Sequence, residues 1–156
     1  MKLDKVLFSS TSNEWESPND LYNKLNDKYH FTLDPCCTDY NHKCNKYFTI
    51  KDNGLEQDWS KDIVFMNPPY GREIGKWIKK AYDEWIKGAT VVVLVPARTD
   101  TKWFHNYVYT KLESKNYEFI KGRLKFINRL FPSWREDGNF KLTPAPFPSM
   151  LIYYTH

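Results

Sequence analysis

Two apolar runs without a polar interruption, "DIVFMN" at 62–67 and "ATVVVLVP" at 89–96, flank an amphipathic segment, "EIGKWIKKAYDEWIKG". A strand that is apolar at every position is one buried on both faces, as in a parallel sheet covered by helices. Ile74, Trp77, Ile78, Ala81 and Trp85 recur at helical spacing, and Gly88 supplies the stop. Strand, helix, strand in that order predicts a crossover unit and an α/β chain with a mostly parallel sheet.

Further elements follow the same pattern. "ESPNDLYNKLNDKYH" predicts a helix, with Ser17 as N-cap, Pro18 as first helical residue and Leu21, Leu25 and Tyr29 on one face. "HFTLDPCC" and "KYFTI" predict short strands, "TKWFHNYVYTKLE" a helix, "YEFIKGRLKFI" a hairpin-like pair and "SMLIYYT" a last strand. The stretch 128–148 predicts a long loop, and loops of that length are usually functional or mobile. The antiparallel-looking end predicts a mixed sheet edge. No repeat or linker divides the 156 residues, so one domain over 1–156 is expected.

Two strands end in polar punctuation, one at Asp34-Pro35 and the other at Asn67-Pro68-Pro69-Tyr70. In open α/β sheets ligands sit beyond the carboxyl ends of strands, where the strand order reverses. The two ends are therefore expected to be neighbours at that point. Two successive prolines fix φ, donate no hydrogen bond and stiffen the chain. They hold the Asn67 side chain and the adjacent carbonyl in place, while Tyr70 offers a flat ring and Gly71 an unusual backbone angle. Two oxygens and a ring suit a planar group bearing an NH2, whose hydrogens the oxygens accept. Such acceptors also stabilise the positive charge that grows on the nitrogen as a methyl group arrives.

Aromatic residues make up 17%, rich enough that some could serve as stacking surfaces beyond the core. A net charge of +4 fits a nucleic-acid partner without demanding one. No apolar stretch is long enough for a membrane span, and the N-terminus lacks a signal-peptide core, so a cytoplasmic protein is expected. Cys36, Cys37, His42 and Cys44 lie close together, but adjacent cysteines lack the spacing of a zinc site. No metal is expected, and the thiols read as small buried side chains.

NPPY is similar to the [DNS]-P-P-[YF] motif of amino-group methyltransferases. With it, "WESPNDLYNKLN", "FTLDPC", "NGLEQDW", "FMNPPYGREIGKWIKKA", "VVVLVPARTDTKWFH", "GRLKF" and "APFPS" together resemble the phage-type DNA N-6-adenine methyltransferase (Dam-like) family. The blocks run from about Trp15 to Ser149. The resemblance implies a Rossmann-like methyltransferase sheet, S-adenosylmethionine as methyl donor, and N6 of a flipped-out adenine in double-stranded DNA as acceptor. It implies a phage or prophage gene acting in the bacterial host cytoplasm, and a monomer or weak homodimer. Asn67, Pro68, Pro69 and Tyr70 would be the catalytic motif, with Tyr70 stacking on the base. Asp34-Pro35 falls where such enzymes carry their first cofactor motif, and the carboxylate could meet the methionine ammonium or a ribose hydroxyl. Ser17-Pro18 lies where related enzymes contact the cofactor, and Asp58 would sit near its adenine.

One departure stands out: "DPCCTDYNHK" has no glycine where a glycine-rich loop is expected. Arg98, Lys102, Arg123, Lys125, Arg129, Trp134 and Arg135 are candidate DNA contacts, each basic one otherwise a solvated surface charge except Arg98, which directly follows a buried strand and is expected on the active-site side of the sheet. NPPY also resembles the signature of glutamine N5 and rRNA guanine N2 methyltransferases. A non-catalytic phage nucleic-acid-binding domain is the remaining alternative.

Overall fold

The computed structural model describes residues 14–132 and 140–156, with side chains from 130 to 139 left aside. Six strands form the main sheet: β1 (Leu33–Asp34), β2 (Lys46–Tyr47), β3 (Ile63–Met66), β4 (Thr90–Pro96), β5 (Tyr117–Phe119) and, last in the chain, Ser149–Tyr154. Between β5 and that last strand come β6 (Lys125–Pro132) and β7 (Phe140–Pro144), which makes the last strand β8. The sheet order is β2-β1-β3-β4-β8-β5, and β6 and β7 form a separate antiparallel pair. The pairs among β1 to β4 are parallel, and β8 runs antiparallel between β4 and β5. The architecture is thus a mixed, mostly parallel α/β sheet.

Val91 through Val95 are each fully buried. Successive strand residues point to opposite faces, so both faces of β4 are covered. The helices α1 (Asn19–Tyr29) and α2 (Ile74–Lys87) supply much of that cover. Tyr22 of α1 meets Phe65 of β3 at 5.2 Å and Phe31 at 5.7 Å between ring centroids. The expected stripe of α2 buries Ile74, Trp77, Ile78 and Ala81, and Gly88 ends the helix at φ 126°.

Several local expectations are corrected. Ser17 does not cap α1: Pro18 occupies the N-cap with extended geometry and no side-chain cap bond, because the Ser17 hydroxyl is engaged elsewhere. The helix expected after Thr101 is one α turn, α3 (Lys102–Phe104), that widens into a π turn over His105–Tyr109. The Tyr154 hydroxyl donates to the Tyr107 carbonyl at 2.7 Å, and the run of aromatic and β-branched residues has weak helix propensity. The hairpin expected over 117–127 does not form. Tyr117–Phe119 joins β8, Gly122 turns the chain at φ 76°, and the next strand leaves for the second sheet. The long loop of 128–148 is in large part the β6–β7 pair.

One buried charge rests on α2. The Glu84 carboxylate is fully buried and pairs with Lys80, whose ammonium also donates to the Gln57 carbonyl at 2.5 Å. Lys87 stands 3.7 Å from the other carboxylate oxygen. Removing one partner leaves a buried charge uncompensated, which is strongly destabilising, whereas removing both does not. Lys80→Met is expected to cost about 3 kcal/mol in urea unfolding, and Lys80→Met/Glu84→Leu to recover most of it.

Candidate functional site

β1 pairs with β3 in parallel, Leu33 opposite Val64. The chain leaves β1 for β2 on one side and returns to β3 on the other, so the strand order reverses between β1 and β3. Asp34-Pro35 and Asn67-Pro68 are therefore neighbours at the carboxyl edge, as the strand ends predicted. A cavity of about 570 Å³ opens there, lined by both pairs. That volume lies in the range of small-molecule and cofactor sites. Gly71 takes φ 117°, so the segment after Pro69 turns as only glycine does readily.

Both hydrogens of the Asn67 amide and one lone pair of its oxygen are engaged. Its Nδ2 donates to the Trp15 carbonyl and, at 2.9 Å, to the Ser17 hydroxyl. Its Oδ1 accepts the Tyr70 hydroxyl at 2.6 Å. Tyr70 is only 3% exposed, and its ring meets Phe147 edge-on at 5.5 Å and Phe126 at 6.4 Å. Burial pushes the Tyr70 phenol well above its ordinary pKa, so it remains a donor. Trp15 completes this cluster with edge-on contacts to Phe126 and Phe147 and, unlike Tyr70, lines the cavity.

The opposite wall is built without a glycine-rich loop. Within "CCTDYNHK" the Asn41 side chain accepts the Thr38 N–H at 2.7 Å, and His42 stacks on Tyr47 at 3.9 Å. Asp34 is 5% exposed and accepts the Lys43 N–H at 2.9 Å. Burial raises its carboxyl pKa, against the lowering effect of the Lys43 and Cys36 backbone N–H groups. The glycine comes from a distant turn: a Cβ on Gly54 would stand 2.1 Å from the Pro35 carbonyl oxygen. No real Cβ tolerates that approach, so Gly54 is what lets the segment before β3 press on the loop after β1. Burial raises the Cys36 and Cys37 thiols, and Cys44 is pushed up to about 11. Among the described residues no group of three acidic, histidine or cysteine side chains is placed to hold a metal ion.

The third wall joins the two ends of the chain. The Glu16 carbonyl accepts the Ile127 N–H at 3.0 Å, adding a bridge to β6. The Glu16 carboxylate takes a two-pronged pair from Arg129 with both bonds at 2.6 Å. Arg129 also lies 4.6 Å above the Phe140 ring. Lys43 lines the cavity as well; its ammonium bonds Asn19 Oδ1 at 2.8 Å, and burial lowers its pKa.

Ser17, Asp34, Pro35, Asn67, Pro68, Pro69 and Arg129 are brought together around this cavity. Pro18 caps α1 through its carbonyl, which accepts the Tyr22 N–H at 3.1 Å. Asp58 is exposed beyond the lining, its carboxylate accepting the Ser60 N–H at 2.9 Å. Arg98 follows the carboxyl end of β4, and it, Lys102, Arg123 and Lys125 are exposed outside the lining. Trp134 and Arg135 lie outside the described residues. Trp15, Glu16, Lys43, Gly54 and Phe126 complete the walls without having been singled out by sequence. For Gly54 the signal existed, a lone glycine in "DNGLEQDW".

The mixed sheet, the ligand-sized cavity at its reversal point and NPPY on its rim define an α/β protein with a small-molecule-sized cavity at the carboxyl edge of its sheet. The chain belongs to the DNA N-6-adenine-methyltransferase (Dam) family, whose sequence model matches residues 6–149. It is 31% identical over 99 residues to the DNA N-6-adenine-methyltransferase of Haemophilus phage HP1 (strain HP1c1), covering 63% of this chain and 56% of that protein. It is 30% identical over 92 residues to the DNA N-6-adenine-methyltransferase of Escherichia phage T1, covering 58% of this chain and 38% of that protein. The chain thus spans about half, and well under half, of the length of these two relatives. Among the described residues no helix is long and apolar enough to cross a membrane.

Asp34 gives a pH-dependent prediction. Its folded carboxyl holds the proton to higher pH than an unfolded one, which titrates near about 3.9. Its favourable contribution is therefore complete below that pH and is lost as pH rises through the raised value. Asp34→Asn keeps an acceptor for the Lys43 N–H and cannot ionise. Its melting temperature is expected to gain on wild type as pH rises across that window, read by scanning calorimetry.

Proposed function

We propose that the chain transfers a methyl group from S-adenosylmethionine to N6 of an adenine flipped out of double-stranded DNA, acting as a single Rossmann-like methyltransferase domain. The observation that carries this reading is the Asn67 amide at the cavity rim, with both its hydrogens taken by Trp15 and Ser17 and one lone pair of its oxygen left over after the Tyr70 hydroxyl. The donor set fits the cofactor. The buried Asp34 carboxylate suits its ammonium, and Lys43, whose ammonium donates to the neutral Asn19 side chain, suits its carboxylate. Exposed Ile50 on the rim offers apolar surface to a planar base. When bound, the cofactor supplies an activated methyl group.

The protein's own work is to hold the acceptor amine. Asn67 Oδ1 has a second lone pair beyond the one taken by Tyr70. That lone pair and the Pro68 carbonyl accept the two N6 hydrogens and favour the charge that develops on nitrogen. Tyr70 enters this reading first as the partner of Asn67. Stacking its ring on a base requires the Phe126 and Phe147 side of the cluster to give way.

An adenine within a duplex cannot reach such a cavity, so it must leave the stack at a cost of a few kcal/mol. Exposed Arg98, Lys102, Arg123 and Lys125 are cations that could meet phosphates, and each real contact adds about −0.9 to the salt slope on B-DNA. Arg129 is committed to Glu16. Such an enzyme would act in the host cytoplasm as a monomer or weak homodimer.

The test is transfer of labelled methyl to DNA, RNA and protein, followed by nucleoside analysis. N6-methyladenine in DNA is expected, and label confined to RNA or protein overturns the reading. Asn67→Ala should lower turnover by about two to three orders of magnitude while calorimetric cofactor affinity stays near wild type.

A further inference from the structure

We propose that the Ser17 hydroxyl and the Trp15 carbonyl are positioning groups that fix which end of the Asn67 amide faces the acceptor, so that this chain requires asparagine, not aspartate, at position 67. The inference rests on the amine-methylation reading above and concerns how that site is set.

A carboxamide has one end that only accepts and one that only donates. Rotating it by half a turn exchanges them with little change of shape. Asn67 would then be as able to turn its NH2 toward an incoming amine as its oxygen. Three contacts remove that freedom. Both Nδ2 hydrogens have acceptors, the Trp15 carbonyl and the Ser17 hydroxyl at 2.9 Å. Oδ1 has a donor, the Tyr70 hydroxyl at 2.6 Å. The inverted amide would set oxygen against the Trp15 carbonyl, two acceptors face to face in a region where Ser17 is 3% exposed. An unpaired polar group there costs far more than a bond in water returns.

The segment bearing these acceptors is itself clamped. The bond from the Ile127 N–H to the Glu16 carbonyl and the Glu16–Arg129 pair hold it against β6. The amide is thus oriented from residues about fifty positions earlier in the chain, held by others more than fifty positions later.

Aspartate breaks this arrangement. The motif of amino-group methyltransferases accepts Asp, Asn or Ser at its first position, and a carboxylate would serve equally as an acceptor for an amine. Here its second oxygen would meet the Trp15 carbonyl with no hydrogen to offer. Only the Ser17 hydroxyl could turn to donate.

The test uses the full chain carrying Ser17→Ala, Ser17→Thr and Asn67→Asp. It measures kcat and KM for DNA, cofactor affinity by calorimetry, and exchange of the Asn67 side-chain NH2 by NMR. In Ser17→Ala, kcat should fall about tenfold, the equivalent of one net hydrogen bond, with cofactor affinity unchanged and faster NH2 exchange. Ser17→Thr, which keeps the hydroxyl and controls for folding, should restore both. Asn67→Asp should lose at least about a hundredfold in kcat. Wild-type turnover in Asn67→Asp overturns the requirement. Loss of cofactor affinity in Ser17→Ala with kcat retained makes Ser17 a cofactor ligand instead. The exchange readout separates this inference from the functional one: if wild type methylates no adenine, NH2 protection that Ser17→Ala leaves untouched still overturns the positioning role.

Discussion

Everything at the site depends on the parallel hydrogen-bonded pairing of β1 with β3 and β3 with β4. Because these strands point the same way, their last residues reach one edge together. Because both faces are covered, that edge is where polar groups can meet a ligand. Leu33 opposite Val64 is enough to bring Asp34 and Asn67 to the same rim. The prolines after each then prevent the strands from running on, so the side chains at the ends are not drawn into further ladder.

The strand ends and the α2 stripe were legible because their causes are local. A continuous apolar run needs cover on both faces, and helical spacing needs one buried stripe. NPPY was legible for the same reason, since proline acts on its neighbours alone. The orientation of Asn67 was not, because its partners Trp15 and Ser17 lie about fifty residues away. Nothing in the short-range pattern tells a serine that caps a helix from one that accepts an amide N–H. Ser17 precedes a proline and a helix and does the latter. Phe126 likewise sits in a stretch whose alternation fits either a hairpin with 117–119 or a partner further on. The choice was decided by β8, which takes Tyr117–Phe119 for itself.

The charges divide by environment in a way that composition conceals. A net charge of +4 suggests a mildly basic surface, yet among the described residues several cations are paired with carboxylates, Lys80 with the buried Glu84 and Arg129 with Glu16 among them. The first pair steadies α2 and the turn before β3; the second fastens the cavity wall. The net charge is therefore no measure of how many cations are left unpaired at any one face.

The Glu16–Arg129 closure has a consequence for how the protein reaches its working form. The pair closes a loop of more than a hundred residues, and contacts of such separation are slow to form because the chain entropy of closure comes before any contact can reward it. The parallel strands β1 to β4 lie within the first two thirds of the chain, whereas this wall of the cavity exists only once Glu16 and Arg129 have met. This wall of the cavity is therefore among the contacts whose closure costs the chain most entropy, and its upkeep depends on one ion pair and one backbone bridge.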